Sequence, residues 1–288
     1  MVLGSIYSKT GTLLRLVYLA ALTLFCTPFG YAVEPVGLKL SHTQLGAREF
    51  SGVDGLSIAQ LTTELTTPLA QRSARVGVWT LGASLTENRF QLTGSTTANR
   101  RFYRLSLPIQ YAPRRVGRFQ HQWHFEPSHY SDESLISQTR ETFEYAWRMN
   151  YWVNRKARWV LGVRKDSRFG VAKLYPIFGL VSQPKKGIEH HWVFPDLYSQ
   201  FPINRKVSLR IYGQVIGGNW KYLQEEGTTA SFGFSQWDVG LKAMMKTRKR
   251  FSMTASLGWS TSGEGSLAGS DGTLGDNAFF SFGIETDF

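Results

Sequence analysis

Apolar and polar positions alternate with a period of two along most of this chain. In 101–112, Tyr103, Leu105, Leu107, Ile109 and Tyr111 fall on one face, and Phe102, Arg104, Ser106, Pro108 and Gln110 on the other. In 140–153, Phe143, Tyr145, Trp147, Met149 and Tyr151 oppose Glu144, Arg148 and Asn150. In 206–216, Val207, Leu209, Ile211 and Val215 oppose Lys206, Ser208, Arg210 and Gln214. A two-residue period is the signature of β-strands with unlike faces, and no convincing helical period longer than three turns competes with it. The pattern predicts strands at 56–66, 75–85, 101–112, 116–126, 140–153, 157–165, 171–182, 188–200, 206–222, 230–246, 250–260 and 279–288.

Which face is buried decides the fold class. A soluble sandwich would place the aromatic stripes inside, and its strands would be shorter than these segments of 10 to 14 residues. That length suits a tilted bilayer crossing, and aromatics at both ends of an aliphatic stripe suit two membrane interfaces. The expected fold is therefore all-β: a single transmembrane antiparallel up-and-down barrel of about twelve strands. The last segment agrees. Phe280, Phe282, Ile284 and Phe288 lie on one side and Ser281, Gly283, Glu285 and Asp287 on the other, so the chain closes on an amphipathic strand ending in Phe. It reads as the final strand of a Gram-negative outer-membrane barrel, with those four residues as the barrel-assembly signal.

The other end carries an export pattern. Lys9 and Arg15 precede an apolar run, Leu16 to Cys26, followed by Pro28 and the small-residue site Gly30-Tyr31-Ala32. The run is far short of the roughly 20 residues of a spanning helix, so it reads as a secretory signal cleaved after Ala32. The predicted organisation is a signal peptide at 1–32, a lead-in arm at 33–55 and a barrel at 56–288. The single cysteine, Cys26, leaves with the signal, which excludes disulfides, thiolate-held metals and a thiol nucleophile from the mature chain. Removing Lys9 and Arg15 lowers the net charge from +12 to +10. An exported protein meets no genome, so nucleic acid is not an expected partner of that charge. Aromatics at 14% without a continuously apolar stretch also fit an exported barrel.

Several motifs carry a resemblance. Pro176-Ile177-Phe178-Gly179, Trp192-Val193-Phe194-Pro195-Asp196-Leu197, Tyr212-Gly213, Gly217-Gly218-Asn219-Trp220 and the closing strand together resemble a group of uncharacterised bacterial outer-membrane barrels, a domain of unknown function, over roughly 75 to 288. The resemblance implies a barrel in the outer membrane and brings no catalytic or binding residues with it.

Candidate chemistry lies on the polar faces. Arg104, Arg118, Arg148, Arg158, Arg164, Lys206, Arg210 and Lys242 are expected to line the lumen with Glu126, Glu144, Glu189 and Asp238. An excess of cationic groups would favour anions in a water-filled pore; in a narrow barrel the same charges pair and fill the interior. The leading functional expectation is passive passage of small, anionic solutes. A closed barrel acting through its extracellular loops comes second. A lipid-modifying enzyme comes third, on the strength of His121 on an otherwise apolar face with Ser128 nearby. Expected partners are outer-membrane lipid and the barrel-assembly machinery. No cofactor or metal is expected: His190 and His191 are adjacent and point apart along a strand, as do His121 and His124.

The stretch 261–277 reads as a mobile extracellular loop, and Glu225 to Thr229 as a surface turn. Asn154-Arg155-Lys156, Asn204-Arg205-Lys206, Thr247-Arg248-Lys249 and the looser Pro113-Arg114-Arg115 read as short turns on one side of the membrane. An odd number of predicted strands separates some of them. One strand in 86–200 is therefore misassigned, and ten or fourteen are the other even counts.

Overall fold

A computed structural model describes residues 37–94, 98–132, 140–223, 229–248 and 251–287. It contains the strand segments β1 (Gly37–Glu49), β2 (Ser57–Ala74), β3 (Gly77–Thr93), β4 (Ala98–Ser106), β5 (Ile109–Pro113), β6 (Phe119–Asp132), β7 (Arg140–Asn154), β8 (Ala157–Asp166) and β9 (Lys173–Ser182). After these come β10 (Glu189–Phe194), β11 (Asp196–Pro202), β12 (Val207–Leu223), β13 (Thr229–Arg248), β14 (Phe251–Ser260), β15 (Gly263–Leu267), β16 (Ser270–Leu274) and β17 (Asn277–Asp287). Three staves are each built of two segments: β4 with β5 along β3, β14 with β15 along β13, and β16 with β17 beside β1. The seventeen segments thus make fourteen antiparallel staves, and pairing of β1 with β17 closes the barrel.

Two additions turn the expected twelve strands into fourteen. The segment expected as a lead-in arm contains β1, hydrogen-bonded on both edges. Its outward series Leu38, Leu40, His42, Gln44 is half polar, which hid the alternation. The single strand expected at 188–200 is two, β10 and β11, folded at Phe194-Pro195 with Val193 opposite Asp196. A proline cannot donate to a ladder, so Pro195 marked the break. With these corrections Asn154-Arg155-Lys156, Asn204-Arg205-Lys206, Pro113-Arg114-Arg115 and the end of β13 at Thr247-Arg248 all lie at one end of the barrel. Lys249 lies outside the described residues. In two of these turns the asparagine explains the motif: Asn154 Oδ1 accepts the Lys156 N–H (2.7 Å), and Asn204 Oδ1 accepts those of Lys206 and Val207 (2.8 Å each).

The stretch 261–277, expected as a loop, is mostly strand. β15 and β16 form a hairpin through Ala268 and Gly269, both at positive φ as a two-residue hairpin turn requires. Of the expected surface turn, 225–228 lie outside the described residues and Thr229 begins β13.

The outer face is apolar. Leu241, Leu257 and Phe280 are exposed neighbours on β13, β14 and β17, and Trp159, Leu161 and Val163 are exposed along β8. Such a contiguous apolar surface, 62% exposed at Leu257, is compatible with lipid and not with water. Trp79 stacks on Tyr111 at 4.2 Å near the short-turn end. Tyr103 stands eight residues from Tyr111, about 20 Å of membrane depth for a tilted strand.

The interior changes character along its length. Towards the long-loop end the inward residues Phe50, Leu56, Ile58, Phe90, Phe102, Tyr130, Trp220, Phe232, Phe234 and Leu274 form one buried cluster. Phe90 meets Phe232 edge-on at 4.7 Å, and Phe102 stacks on Trp220 at 5.5 Å. The wall is low at β10 and β11, and β12 loses its β11 partner beyond Gln214. There β12 leans across to touch β6. The β8–β9 segment Ser167–Ala172 packs against it: Asn219 Nδ2 donates to the Gly170 carbonyl (2.9 Å), and a Cβ on Gly217 would lie 2.3 Å from the Arg168 carbonyl. Gly217 is small because this segment lies against it.

Phe90→Ala is expected to lower folding stability by about 3–5 kcal/mol, read from urea unfolding in detergent, because it hollows the aromatic cluster. A chain lacking 37–49 is expected to show no heat-modifiable folded band on electrophoresis, since the edges of β17 and β2 lose their shared partner.

Candidate functional site

The polar interior lies between the aromatic cluster and the short-turn end. Its chemistry follows from register: on β4, β6, β7 and β8 every second residue points inward, and successive strands place those residues side by side. Glu126 lies opposite Glu144, and Ala146 opposite Arg164. Two carboxylates side by side would repel, and Arg104 from β4 reaches both. Its Nη2 lies 2.8 Å from Glu126 and 2.9 Å from Glu144. Tyr130 donates to Glu144 (3.3 Å), and His124 lies 2.9 Å from the other Glu126 oxygen.

The chain of charges continues around the wall. Asp166, at the end of β8, pairs with Arg164 and Arg168 and accepts the Tyr175 hydroxyl at 2.7 Å. Arg168 spans on to Asp196 at the start of β11 (2.8 Å). Carboxylates buried in this way persist because each is neutralised and hydrogen-bonded. The far wall is joined mainly by amides and hydroxyls. Asp238 accepts from Gln236 (3.1 Å) and Ser260 (2.5 Å), Gln236 accepts from the buried Arg48, and Thr62 donates to Asn88 at 2.8 Å.

Nearer the short turns the cations stand differently. Among the described residues, Arg148, Arg158, Arg210 and Lys242 form no ion pair. Arg158 lies over the Trp152 ring (4.9 Å), Arg210 over Tyr198 (4.1 Å) and Lys242 over Tyr212 (5.7 Å). Arg210 also donates to Gln200 (2.7 Å), and Glu189 accepts the Tyr198 hydroxyl at 2.5 Å. Lumen charge is thus paired on the loop half and less so on the turn half.

Of the residues expected in the lumen, Arg118 and Lys206 are not there. Each immediately precedes a strand, where extrapolated alternation aims it inward, but both sit in turns with exposed side chains. Their carbonyls alone extend the ladders, accepting the N–H groups of Trp152 and Lys246. Lys39, Arg48, Glu64, Asp166, Arg168 and Asp196 were missed. Lys39 and Arg48 lie in the unrecognised β1, Asp196 follows the unrecognised turn, and Arg168 belongs to a connecting segment that folds back against the wall. Phe280 and Phe282 face outward, and Phe288 lies outside the described residues.

The pairing of His121 with Ser128 does not hold. His121 is on the outer face, its ring 5.8 Å from that of Trp147, whereas Ser128 is buried inside beside Arg104. His190 and His191 likewise diverge, one bonded to Ser199 on the outer face and the other stacked on Tyr198 within. Among the described residues no group of three metal-ligating side chains forms.

Among the described residues, two chambers open in the polar interior. One of about 300 Å³ is bordered by Arg104, Glu144, Asp166, Arg168 and Asp196. The other, of about 290 Å³, is bordered by Lys39, Thr43, Asp238, Lys242, Ser256 and Ser281. They adjoin through Gln60, Thr62, Glu64 and Gln214, which border both.

No protein-family model matches the chain, and no curated protein matches it significantly in sequence. Among solved structures it is similar to the toluene transporter TodX of Pseudomonas putida, with 10% identity, TM-score 0.43 and coverage of 89% of this chain and 90% of that one. It is also similar to the translocator domain of the autotransporter NalP from Neisseria meningitidis, with 13% identity, TM-score 0.38 and coverage of 99% and 100%. A third is the KdgM porin in complex with disordered oligogalacturonate, with 9% identity, TM-score 0.38 and coverage of 87% and 99%. The assignment as a membrane barrel rests on the closed hydrogen-bonded wall and its lipid-facing surface.

Asp166→Asn leaves Arg164 and Arg168 without their shared counter-charge. It is expected to destabilise the folded barrel by about 3–5 kcal/mol, read as a lower urea midpoint at unchanged slope.

Proposed function

We propose that this chain is an outer-membrane barrel of the channel type, whose lumen admits small, polar, preferentially anionic solutes from the short-turn end. The observation that carries this reading is the pair of adjoining polar chambers inside a lipid-facing wall. A barrel that served only as scaffold would gain from filling that space with side chains.

The preference for anions follows from how the charges are distributed. On the loop half Arg104, Arg164 and Arg168 are spent on carboxylates. On the turn half Arg148, Arg158, Arg210 and Lys242 keep their field. The described turns beyond them carry Arg75, Arg114, Arg115, Arg155, Lys156, Lys185, Lys186, Arg205 and Lys206 and no acidic residue. Such a rim concentrates anions at the mouth. The aromatic cluster fills the loop half of the interior, so on this reading passage requires its displacement. A second reading, a permanently closed barrel acting through its loops, draws on that same cluster.

Single-channel recording on the folded chain in a planar bilayer separates the two. The wild type is expected to be silent or to open briefly, and Trp220→Ala with Phe232→Ala to give long-lived steps whose reversal potential in asymmetric potassium chloride favours chloride. Adding Arg210→Gln and Lys242→Gln is expected to reduce that preference. Silence from the wild type and from the cluster variant, both shown to be folded, leaves the closed-barrel reading.

A further inference from the structure

Four inward hydroxyls stand side by side across the seam of the barrel. Thr62 on β2 lies opposite Thr43 on β1, Thr43 opposite Ser281 on β17, and Ser281 opposite Ser256 on β14. All four border the chamber of about 290 Å³, and Thr62 also borders the chamber of about 300 Å³. Short side chains on four adjacent strands leave space that larger ones would fill, and they line it with groups that both donate and accept.

Acidic and basic groups nearly balance around this space. Lys39 and Lys242 border the smaller chamber together with Glu64 and Asp238, and three arginines border the larger one together with four carboxylates. Excess charge thus belongs to the rim, and two buried groups show what the chambers themselves can select. Gln60 Oε1 and Trp220 Nε1 find no hydrogen-bond partner among the described residues, although Gln60 is only 8% exposed and Trp220 4%. The Gln60 amide nitrogen is already engaged, donating to Thr62 at 3.1 Å. Both residues border the larger chamber, and Gln60 borders the smaller one too. A buried polar group left open is costly, and here one acceptor and one donor are open beside the same space. A carboxylate can answer only the indole N–H, and an ammonium only the amide oxygen. A hydroxyl can answer either.

We infer that the adjoining chambers form a seat for a neutral, polyhydroxylated solute of monosaccharide size, held by Gln60, Trp220 and the row Thr62, Thr43 and Ser281. Each chamber has the space of about ten water molecules. Hydroxyls on neighbouring carbons of one solute can donate to the Gln60 oxygen, accept from the Trp220 N–H and exchange hydrogen bonds with the row. The inference rests on the channel reading for the route by which the solute arrives. It narrows the solutes that pause on that route to those rich in hydroxyls.

The test is saturation-transfer NMR of the folded chain in a detergent without a sugar head group, with glucose as the probe and acetate or methylammonium as competitor. The wild type is expected to transfer saturation to glucose, and neither competitor to displace it at matched concentration. Trp220→Phe keeps the ring in the aromatic cluster and removes the N–H, and Gln60→Leu with Thr43→Val removes the open acceptor and part of the row. Each is expected to reduce the transfer at least threefold, and Trp220→Phe decides should the double variant fail to fold. Undiminished transfer in the folded variants, or displacement of glucose by either competitor, would overturn the inference. Chloride-selective steps from the Trp220→Ala, Phe232→Ala variant, with no transfer to glucose from the wild type, overturn the seat and leave the channel reading standing. Transfer that is lost in the seat variants, with a folded cluster variant that stays silent, upholds the seat and removes the passage.

Discussion

Every peptide group of this wall that lies within hydrocarbon must find its partner in another strand, because lipid offers none. That requirement makes the closure between β1 and β17 a condition for the whole architecture. It also dictates the alternation: once the backbone is sealed in a closed ladder, each residue has only two directions, towards lipid or towards the lumen. Leu241, Leu257 and Phe280 answer the first environment, and Arg104, Glu126 and Glu144 the second. Where the staves β10 and β11 are short, the edge of β12 beyond Gln214 is approached by β6, and the Asn219 side chain bonds the Gly170 carbonyl of the segment Ser167–Ala172.

The same closed wall encloses two unlike interiors. Towards the loops, rings from β3, β4, β6, β12 and β13 pack into one buried cluster. Towards the turns, the lumen holds charge, hydroxyls and space. The transition occurs within single strands, as on β2 from Glu64 and Thr62 through Gln60 to Ile58. Register alone brings these rows together, so solute capacity and closure are set by the same inward positions and differ only in side-chain chemistry.

The fold class was legible because alternation is a local property: the stripes of 101–112, 140–153 and 206–216 needed no tertiary information. What escaped was whatever departs from alternation or depends on distant parts of the chain. His42 and Gln44 on the outer face disguised β1, and the period resumed after Pro195 as if no turn intervened. Arg104, Glu126 and Glu144 could be placed inside from their parity, but their pairing could not, because it depends on neighbours that only register supplies. Arg168 was invisible for a stronger reason. It belongs to no alternating segment, and a folded connection across the wall brings it to Asp196. Arg118 and Lys206 show the opposite error, parity carried one residue past the end of a strand.

The seam between the first and last strands also governs time. Thr43 donates to Ser281 across 238 residues of chain, and Leu45 stands opposite Phe279. No partial chain holds both edges, so the wall cannot seal until its last strand has arrived. Loop-closure entropy over so long a separation delays that step further. Until then the edges of β1 and β17 stay open to mispairing, a hazard that grows with every second of waiting. In a chain built this way, the rate of joining its two ends sets how long its edges remain vulnerable.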